Sequence, residues 1–343
     1  MAAWISTDLA VCFTVALAAA VVLTPVMERL ALRLNAVDQP SRRKRHRKPT
    51  PLLGGLAIFL AFWITVLALV RPLPPGFYEL ALATLLVAIV GLWDDLSRLS
   101  VSVRLMAQAA AAAAVLATTG AATVFVEYRI FDSWVNVALT FLWIVGVTNA
   151  LNLIDNMDGV ASAVAATAAA SYAALLAAGG DVAAACLAAA LAGAAIGFLL
   201  FNFPPARLFM GDAGSFFLGL TLAVLGIEAQ RQTGHRAGWI PAMLILALPL
   251  FDTTLVTISR LRRGQNPLTT PGRDHLAHRL ARRGWSDRKI VAFFAASTAI
   301  LGICAFFVAA KPDAAELVGV VVLAVGSVAL VWFERKPRRP PRE

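Results

Sequence analysis

Charged residues are scarce in this chain. Only 15% of its 343 residues are Asp, Glu, Lys or Arg, whereas 59% are hydrophobic. Because a soluble domain averages about 25% charged residues, the composition excludes an ordinary soluble domain. It indicates a polytopic membrane protein, to which the usual relation between chain length and domain number does not apply.

Cysteine and histidine are also scarce, with three and four residues respectively. Cys12, Cys186 and Cys304 each lie within an apolar run, so we interpret them as packing residues. Neither a disulfide pair nor a zinc-binding spacing is visible in the sequence. The first apolar run is long and leads into a basic loop, which predicts a retained membrane span and not a cleaved signal.

Long apolar segments fill most of the sequence. They predict an all-α, polytopic integral membrane protein with about eleven transmembrane helices. We expect residues 1–333 to form one membrane domain, followed by a basic tail at 334–343. The segments are 8–30, 52–70, 77–93, 104–119, 134–150, 160–178, 182–201, 214–230, 239–258, 290–309 and 314–333.

Basic residues set the expected orientation. The net charge of +10 could suggest nucleic acid as a partner, but no nucleic-acid motif is present. Lys and Arg are enriched in cytoplasmic loops of membrane proteins. With the N-terminus outside and the C-terminus in the cytoplasm, all but five of the 30 Lys and Arg residues fall on the cytoplasmic side. The five exceptions are Arg71, Arg129, Arg231, Arg236 and Lys311.

Four amides and carboxylates recur every three residues between two apolar segments: Asn149, Asn152, Asp155 and Asp158. On a helix this spacing predicts a slowly drifting polar stripe along one side. Such groups are costly at the end of a span unless they face water or a ligand. Capping a helix requires one such residue and not four, so the stripe indicates a site.

Carboxylates at other predicted helix ends indicate the chemistry of that site. Asp94 and Asp95 end the third segment, and Asp212 lies in a turn between Gly211 and Gly214, whose glycines would let a ligand approach the backbone. Such carboxylates suit Mg²⁺, which bridges substrate phosphates. The basic residues of 260–289 would form a phosphate clamp. Together these features predict Mg²⁺-assisted phosphoryl transfer, with Mn²⁺ as an alternative ion and a lipid as one reactant.

Five motifs of this sequence resemble those of a known family. In order along nearly the whole chain, the sequence resembles the polyprenyl-phosphate N-acetylhexosamine-1-phosphate transferases of the WecA and TagO type, relatives of phospho-N-acetylmuramoyl-pentapeptide translocase. The motifs are Asp38-Gln39-Pro40 with Arg43, Lys44, His46 and Pro49-Thr50-Pro51…Gly54-Gly55; Gly91-Leu92-Trp93-Asp94-Asp95; Asn149 to Gly159; Asn202 to Ser215; and Asp274-His275-Leu276-Ala277-His278-Arg279-Leu280.

The resemblance implies transfer of a sugar-1-phosphate from a UDP-N-acetylhexosamine, most simply UDP-GlcNAc, to undecaprenyl phosphate, with release of UMP. The orientation expected from the basic residues puts all these polar clusters on the cytoplasmic face, and the resemblance implies a site in the bacterial inner membrane and the initiation of a cell-envelope glycan. It also implies roles for individual residues. Asp94 would be the base or orienter with Asp95 in support, Asp212 and Asn152 would bind Mg²⁺, and Phe209 would stack on uracil. Donor-binding or ordering roles would fall to Asn149, Asp155, Asp158, Asn202, Arg273, His275, His278 and Arg279.

Departures from the family pattern leave alternatives open. Arg98 stands where many relatives have a third aspartate, and Ala277 replaces a histidine. The histidine triplet of the pentapeptide translocase is missing, which favours a UDP-N-acetylhexosamine donor, but the particular N-acetylsugar stays open. An intramembrane prenyltransferase and a transporter are the rival classes, although the paired aspartate motifs of the former are absent. The sequence leaves the oligomeric state open, with a homodimer as one alternative.

Overall fold

A computed structural model describes residues 2–39, 49–119, 133–233, 238–267, 269–270 and 272–334. Several residues used above lie outside this part of the chain: Pro40, Arg43, Lys44, His46, Arg129, Arg236 and the tail from residue 335. In the described residues the helices are α1 (Ala2–Arg33), α2 (Gly54–Leu69), α3 (Phe77–Ser97), α4 (Val101–Thr119), α5 (Ser133–Ile154), α6 (Val160–Ala178), α7 (Val182–Asn202), α8 (Gly211–Thr233), α9 (Trp239–Ile245), α10 (Ala247–Leu261), α11 (Leu276–Arg282), α12 (Asp287–Ala310) and α13 (Ala315–Glu334).

Helix length and composition confirm an all-helical polytopic membrane protein. Within the described ranges, eight helices are long and apolar enough to cross a membrane. Helices α2 and α4 are shorter apolar helices, and α9 and α10 together form a bent pair. Each predicted apolar segment coincides with one of these helices or with the bent pair. In the described part of the chain, β1 (Val37–Asp38) and β2 (Thr50–Pro51) form a short antiparallel pair.

The segment predicted as one helix over 239–258 is two helices. Helices α9 and α10 are bent by 71° at Leu246. Pro249 explains the break, because its ring clashes with the carbonyl four residues earlier and its nitrogen donates no hydrogen bond. The prediction of a continuous helix here was therefore wrong, and α10 takes a new direction after the bend.

Three helices form the centre of the bundle. In the apolar 18-residue stretches of α6, α7 and α8, 72%, 78% and 89% of the residues are buried, compared with 0% in the corresponding stretch of α13. Small residues permit this packing: a side chain at Gly193 of α7 would collide with the carbonyl oxygen of Phe13 in α1. The Ala-rich stretch 161–170 of α6 is largely buried, so its small side chains form a packing face. The remaining helices surround this core.

Candidate active site

Asp95 joins the end of α3 to the start of α8. Its Oδ1 accepts a hydrogen bond from Asp212 N at 2.8 Å, and its Oδ2 accepts one from Ala213 N at 3.2 Å. The first N–H groups of a helix lack partners within that helix and carry the positive end of its dipole, so a carboxylate there is favourable. Asp95 therefore acts as a cap that fixes two helix ends against each other.

Glycines allow the helix ends to come this close. A Cβ atom at Gly91 of α3 would lie 2.5 Å from a backbone nitrogen of α8, and one at Gly214 would lie 2.7 Å from the Cα of Gly55. Gly211 has a φ of 72°, and a side chain there would overlap the Asp95 carboxylate. The sequence predicted that Gly211 and Gly214 admit a ligand. In this structure they admit the Asp95 carboxylate and the backbone of Gly55, and the approach of a ligand stays a prediction.

Arg104 of α4 bridges the two other carboxylates of this region. Its Nη1 lies 3.2 Å from Asp94 Oδ2 and 3.2 Å from Asp212 Oδ2. Asp94 also accepts a hydrogen bond from Leu99 N. The side chains of Asp94, Asp212 and Arg104 are 12%, 24% and 27% exposed, so the cluster is reachable from solvent but largely desolvated. Our sequence interpretation gave Arg104 no role, although it is the one charged residue of α4.

Asn152 brings the end of α5 to the same point. Its Nδ2 donates to Asp212 Oδ1 at 2.8 Å and to Ser215 Oγ at 3.0 Å. Asp94 and Asp212 therefore meet at the cation Arg104, and Asn152, from a third helix, joins them through its hydrogen bond to Asp212. One turn earlier, Asn149 donates to Gln108 Oε1 and to Val145 O, so it ties α5 to α4 beside the cluster.

The polar stripe does not continue along a helix as predicted. Helix α5 ends at Ile154, and Asp155 N donates back to Asn152 O at 3.2 Å in a tight turn. Asp155 and Asp158 therefore lie in the connection to α6. Burial, together with the charges of Asp212 and Asp158, raises the pKa of Asp155 to about 7. Asp155 thus shares the electrostatic environment of the cluster, although it is not on the same helix face as Asn152.

Asn202 and Asp158 hold the loop that precedes α8. Asn202 is 3% exposed, accepts from Gly159 N and Ser162 Oγ, and donates to Leu208 O. Asp158 Oδ2 accepts from Ala206 N at 2.9 Å. These bonds occupy the amide of Asn202, so its position suits ordering of the loop.

Phe209 lies between this loop and the residues that precede α2. Its N–H donates to Pro51 O at 2.8 Å, and its carbonyl accepts from Gly54 N at 3.0 Å. The neighbouring Met210 O accepts from Gly55 N at 2.8 Å. This backbone pairing fixes the half-buried ring of Phe209 two residues before Gly211, where α8 begins.

A second group of polar residues surrounds α11. Asp252 of α10 is 1% exposed and accepts from Leu276 N through Oδ1, while its Oδ2 lies 2.8 Å from His275 Nδ1. The His278 ring is edge-on to the His275 ring, with centroids 6.3 Å apart. Our sequence interpretation missed Asp252, although a carboxylate inside an apolar segment was the available signal.

Several arginines of the basic loop are used within the protein. Asp274 is bound by the buried Arg260 through Nε and Nη2, each at 3.1 Å, and by Arg263. Burial alone would raise the pKa of Asp274, but these two guanidinium groups hold it below its usual range. Arg279 is 7% exposed and contacts Asp274 O, Phe333 O and Glu334, whereas Arg273 is exposed. The predicted phosphate clamp is thus partly a structural network.

The residues of the first cluster fit a magnesium ion. Among the described residues, no three His, Cys, Asp or Glu side chains are grouped so as to hold a metal. Mg²⁺, however, is commonly bound by one or two carboxylates together with substrate phosphates. Asp94 and Asp212 already direct one oxygen each at a single cationic atom of Arg104, and the Asn152 amide is adjacent. The two carboxylates supply oxygen ligands of the kind that such an ion prefers, and Asn152, whose Nδ2 donates to Asp212 here, would contribute its amide oxygen after rotation of the side chain.

The protein is a helical bundle in which carboxylates, an amide and a cation meet at helix ends. This arrangement is typical of polytopic membrane enzymes that act on charged substrates. Comparisons with known proteins identify the family within that class of enzymes. Residues 77–230 match the model for glycosyl transferase family 4. A probable undecaprenyl-phosphate N-acetylglucosaminyl 1-phosphate transferase of Bacillus subtilis is 34% identical, covering 82% of this chain and 79% of the relative.

Two further relatives agree. An undecaprenyl-phosphate alpha-N-acetylglucosaminyl 1-phosphate transferase of Yersinia pestis is 30% identical over 81% of this chain and 79% of its own. A decaprenyl-phosphate N-acetylglucosaminephosphotransferase of Mycobacterium tuberculosis is 33% identical over 91% and 86%. The chain belongs to the polyprenyl-phosphate N-acetylhexosamine-1-phosphate transferase family, and it is a glycosyl-1-phosphate transferase.

Proposed function

We propose that this protein transfers N-acetylglucosamine-1-phosphate from UDP-N-acetylglucosamine to undecaprenyl phosphate and releases UMP. The observation that carries the proposal is that Arg104 bridges Asp94 and Asp212, while Asn152 is hydrogen-bonded to Asp212. The names of the relatives support the sugar and the polyprenyl acceptor. The product would be the lipid-linked start of a cell-envelope glycan.

The reaction joins two anions, which explains the charges of the site. An oxygen of the acceptor phosphate attacks the phosphorus that bears the sugar, and the bond from that phosphorus to the bridging oxygen breaks as UMP leaves. The barrier depends on positioning and on neutralising the phosphate charge. Arg104 is the cation already present at this point, and its guanidinium can bind phosphate oxygens.

Asp94 is our candidate for the group that receives a proton from the acceptor phosphate or orients its attacking oxygen. It lies in the last turn of α3, where a lipid phosphate at the membrane surface can reach it. Asp95 supports the site by capping α8, and so determines where Asp212 lies.

Asp212 and Asn152, with Asp94 beside them, would hold Mg²⁺ or Mn²⁺ on the donor diphosphate. When bound, this ion would neutralise the charge that develops on the phosphate oxygens. Without the ion, Arg104 compensates both carboxylates. With an ion bound to the carboxylates, Arg104 would be available to bind a phosphate group.

The surrounding residues are assigned to the donor. The ring of Phe209 would stack on uracil, and Asp155 and Asp158 would contact the nucleoside or order its binding turn. Asn149 and Asn202 would order the helices around it, since both amides are hydrogen-bonded within the protein. His275, His278 and the exposed Arg273 would bind phosphate or sugar, and Arg279 would act on α11 instead of on the donor.

We assign the site to the cytoplasmic face of the bacterial inner membrane. Eleven spans, counting α2, α4 and the bent pair as one span each, with the N-terminus outside, would put the ends of α3, α5 and α10 and the start of α8 on one side. The distribution of Lys and Arg favours the cytoplasm for that side. Residues 1–333 would form this single domain.

A donor panel tests the proposal. Purified protein is incubated with undecaprenyl phosphate, Mg²⁺ and one of several UDP-sugars, and lipid products are identified by mass while UMP is quantified. We expect N-acetylglucosaminyl diphosphoundecaprenol and an equal amount of UMP from UDP-N-acetylglucosamine. Product from a different UDP-N-acetylhexosamine alone would overturn the assigned sugar. Release of inorganic diphosphate without UMP would indicate a prenyltransferase and overturn the reaction itself.

A further inference from the structure

Among the candidate membrane spans of the described residues, helix α13 is the least buried, and Val318, Val322 and Leu330 along it are only partly buried against the core. No residue of its apolar 18-residue stretch is fully buried. Leu317, Leu323 and Val328 are 68%, 68% and 71% exposed. At its start, Ala315 is 1% exposed. At its other end, residues 333–334 contact α11, which is too short to cross a membrane.

The contacts at that end are specific. Arg279 of α11 donates through Nη1 to Phe333 O at 2.7 Å, and its Nη2 lies 2.8 Å from Glu334 Oε1. The side chains of Arg279 and Glu334 are 8% and 11% exposed. The guanidinium of Arg283 also lies over the Trp332 ring, 4.2 Å from its centroid. A buried ion pair, a backbone hydrogen bond and a cation–π contact thus hold α11 against α13.

Helix α11 depends on such contacts because it has only seven residues. Isolated helices of this length are not stable in water. Asp252 fixes its start through His275 and Leu276 N. The pairing of Arg279 with Glu334 is the corresponding contact one turn later, on the far side of His278.

We infer that Glu334 is a positioning residue of the donor site: by pairing with Arg279 it fixes α11, and with it the placement of His275 and His278. This inference rests on the proposed function, in which these histidines bind the donor. It makes the end of a lipid-facing helix part of the machinery that recognises the UDP-sugar. It also gives Arg279 a structural partner in place of a direct contact with phosphate.

The test compares Glu334→Gln and Glu334→Asp with Glu316→Gln, a matched change in the first turn of the same helix. Glu334→Gln leaves Arg279 buried without a countercharge, which is costly. We expect the KM for the UDP-sugar to rise about tenfold, while the KM for undecaprenyl phosphate stays within about twofold. Glu334→Asp, which keeps the charge, should recover most of the donor affinity. Glu316→Gln should match the wild type.

A double-mutant comparison separates the two roles of Arg279. If Arg279 acts through Glu334, the variant with both Arg279→Gln and Glu334→Gln should have the same donor KM as Arg279→Gln alone. Multiplying effects would show that Arg279 contacts the donor directly, and would overturn the inference. Equal losses in donor KM, acceptor KM and kcat in Glu334→Gln would also overturn it, because they would indicate general destabilisation.

Hydrogen exchange of residues 273–283 provides a readout that needs no substrate. Exchange should be faster in Glu334→Gln than in the wild type or Glu316→Gln. Unchanged exchange would overturn the positioning role even if activity fell. If the wild type transferred no sugar phosphate from any donor, the proposed function would fail by itself, whereas faster exchange would still support the Glu334–Arg279 attachment of α11.

Discussion

Asp94 and Asp95 are neighbours, but we expect their amide variants to fail in different ways. Asp95 accepts two backbone N–H bonds at the start of α8. Asparagine keeps the size, but it has one acceptor oxygen and no charge for the helix dipole. The loss of a cap costs about 0.5–2 kcal/mol, and a partly buried charge at a helix end contributes up to ~2 kcal/mol. Asp95→Asn should therefore destabilise the protein by about 2 kcal/mol.

Asp94 has a different set of contacts, a partly exposed ion pair with Arg104 and one backbone hydrogen bond. Partly exposed ion pairs contribute only ~0–1 kcal/mol, so Asp94→Asn should melt close to the wild type. If Asp94 acts as the base, turnover should fall by about 10²–10⁴ with donor affinity nearly unchanged. Asp95→Asn should instead bind the donor or Mg²⁺ more weakly, because it displaces Asp212.

Thermal unfolding, turnover and calorimetric binding of the UDP-sugar are measured for both variants under the same conditions. A normal melting temperature with a pure turnover defect in Asp95→Asn, and lost donor binding in Asp94→Asn, would exchange the two roles. Normal turnover in both variants would leave the pair as a simple helix end, and phosphoryl transfer would lose its proposed base.

The remaining predictions concern metal binding, the backbone and orientation. Asp212→Ala should reduce turnover at saturating Mg²⁺ by at least about a hundredfold, because a lost metal ligand removes several kcal/mol of charge stabilisation; near-normal turnover would contradict the assignment. Gly211→Ala should cost at least about 1–2 kcal/mol in thermal unfolding, because its φ is positive and a Cβ there would overlap the Asp95 carboxylate. Gly326→Ala, at a helical position without close neighbours, should not destabilise the protein. In a background without native cysteines, an impermeant thiol reagent on intact cells should label Lys311→Cys but not Gln265→Cys, and the opposite result would reverse the orientation.

The sequence predicted the helices well because apolar runs of this length have few alternative structures in a membrane. The exception at Leu246 follows from Pro249, whose effect was readable but was outweighed by the uninterrupted apolar pattern. It was harder to predict from the sequence that Asp155 lies beyond the end of α5. Spacing of three residues fits a helix, yet the chain turns after Ile154 towards α6.

Individual side-chain roles were harder to predict, since they depend on contacts distant in sequence. Asp94 and Asp95 are adjacent aspartates that the sequence does not distinguish. Only the position of α8 shows that Asp95 caps a helix. The family resemblance implied a donor-binding or ordering role for Arg279, because Arg279 lies in the motif that contains His275 and His278. Its buried contacts with Phe333 and Glu334 depend on α13, more than 50 residues away along the chain.

Arg104 shows why the charged site is stable within a membrane bundle. Two carboxylates this close repel each other, and at an effective dielectric of about 20 unit charges 4 Å apart interact by about 4 kcal/mol. The guanidinium at 3.2 Å from both offsets that repulsion. A divalent cation with a diphosphate would supply the same compensation and leave Arg104 next to new phosphate oxygens. The residue that stabilises the unloaded site is therefore also placed to bind the substrate, so a neutral residue at position 104 should weaken both folding and donor binding.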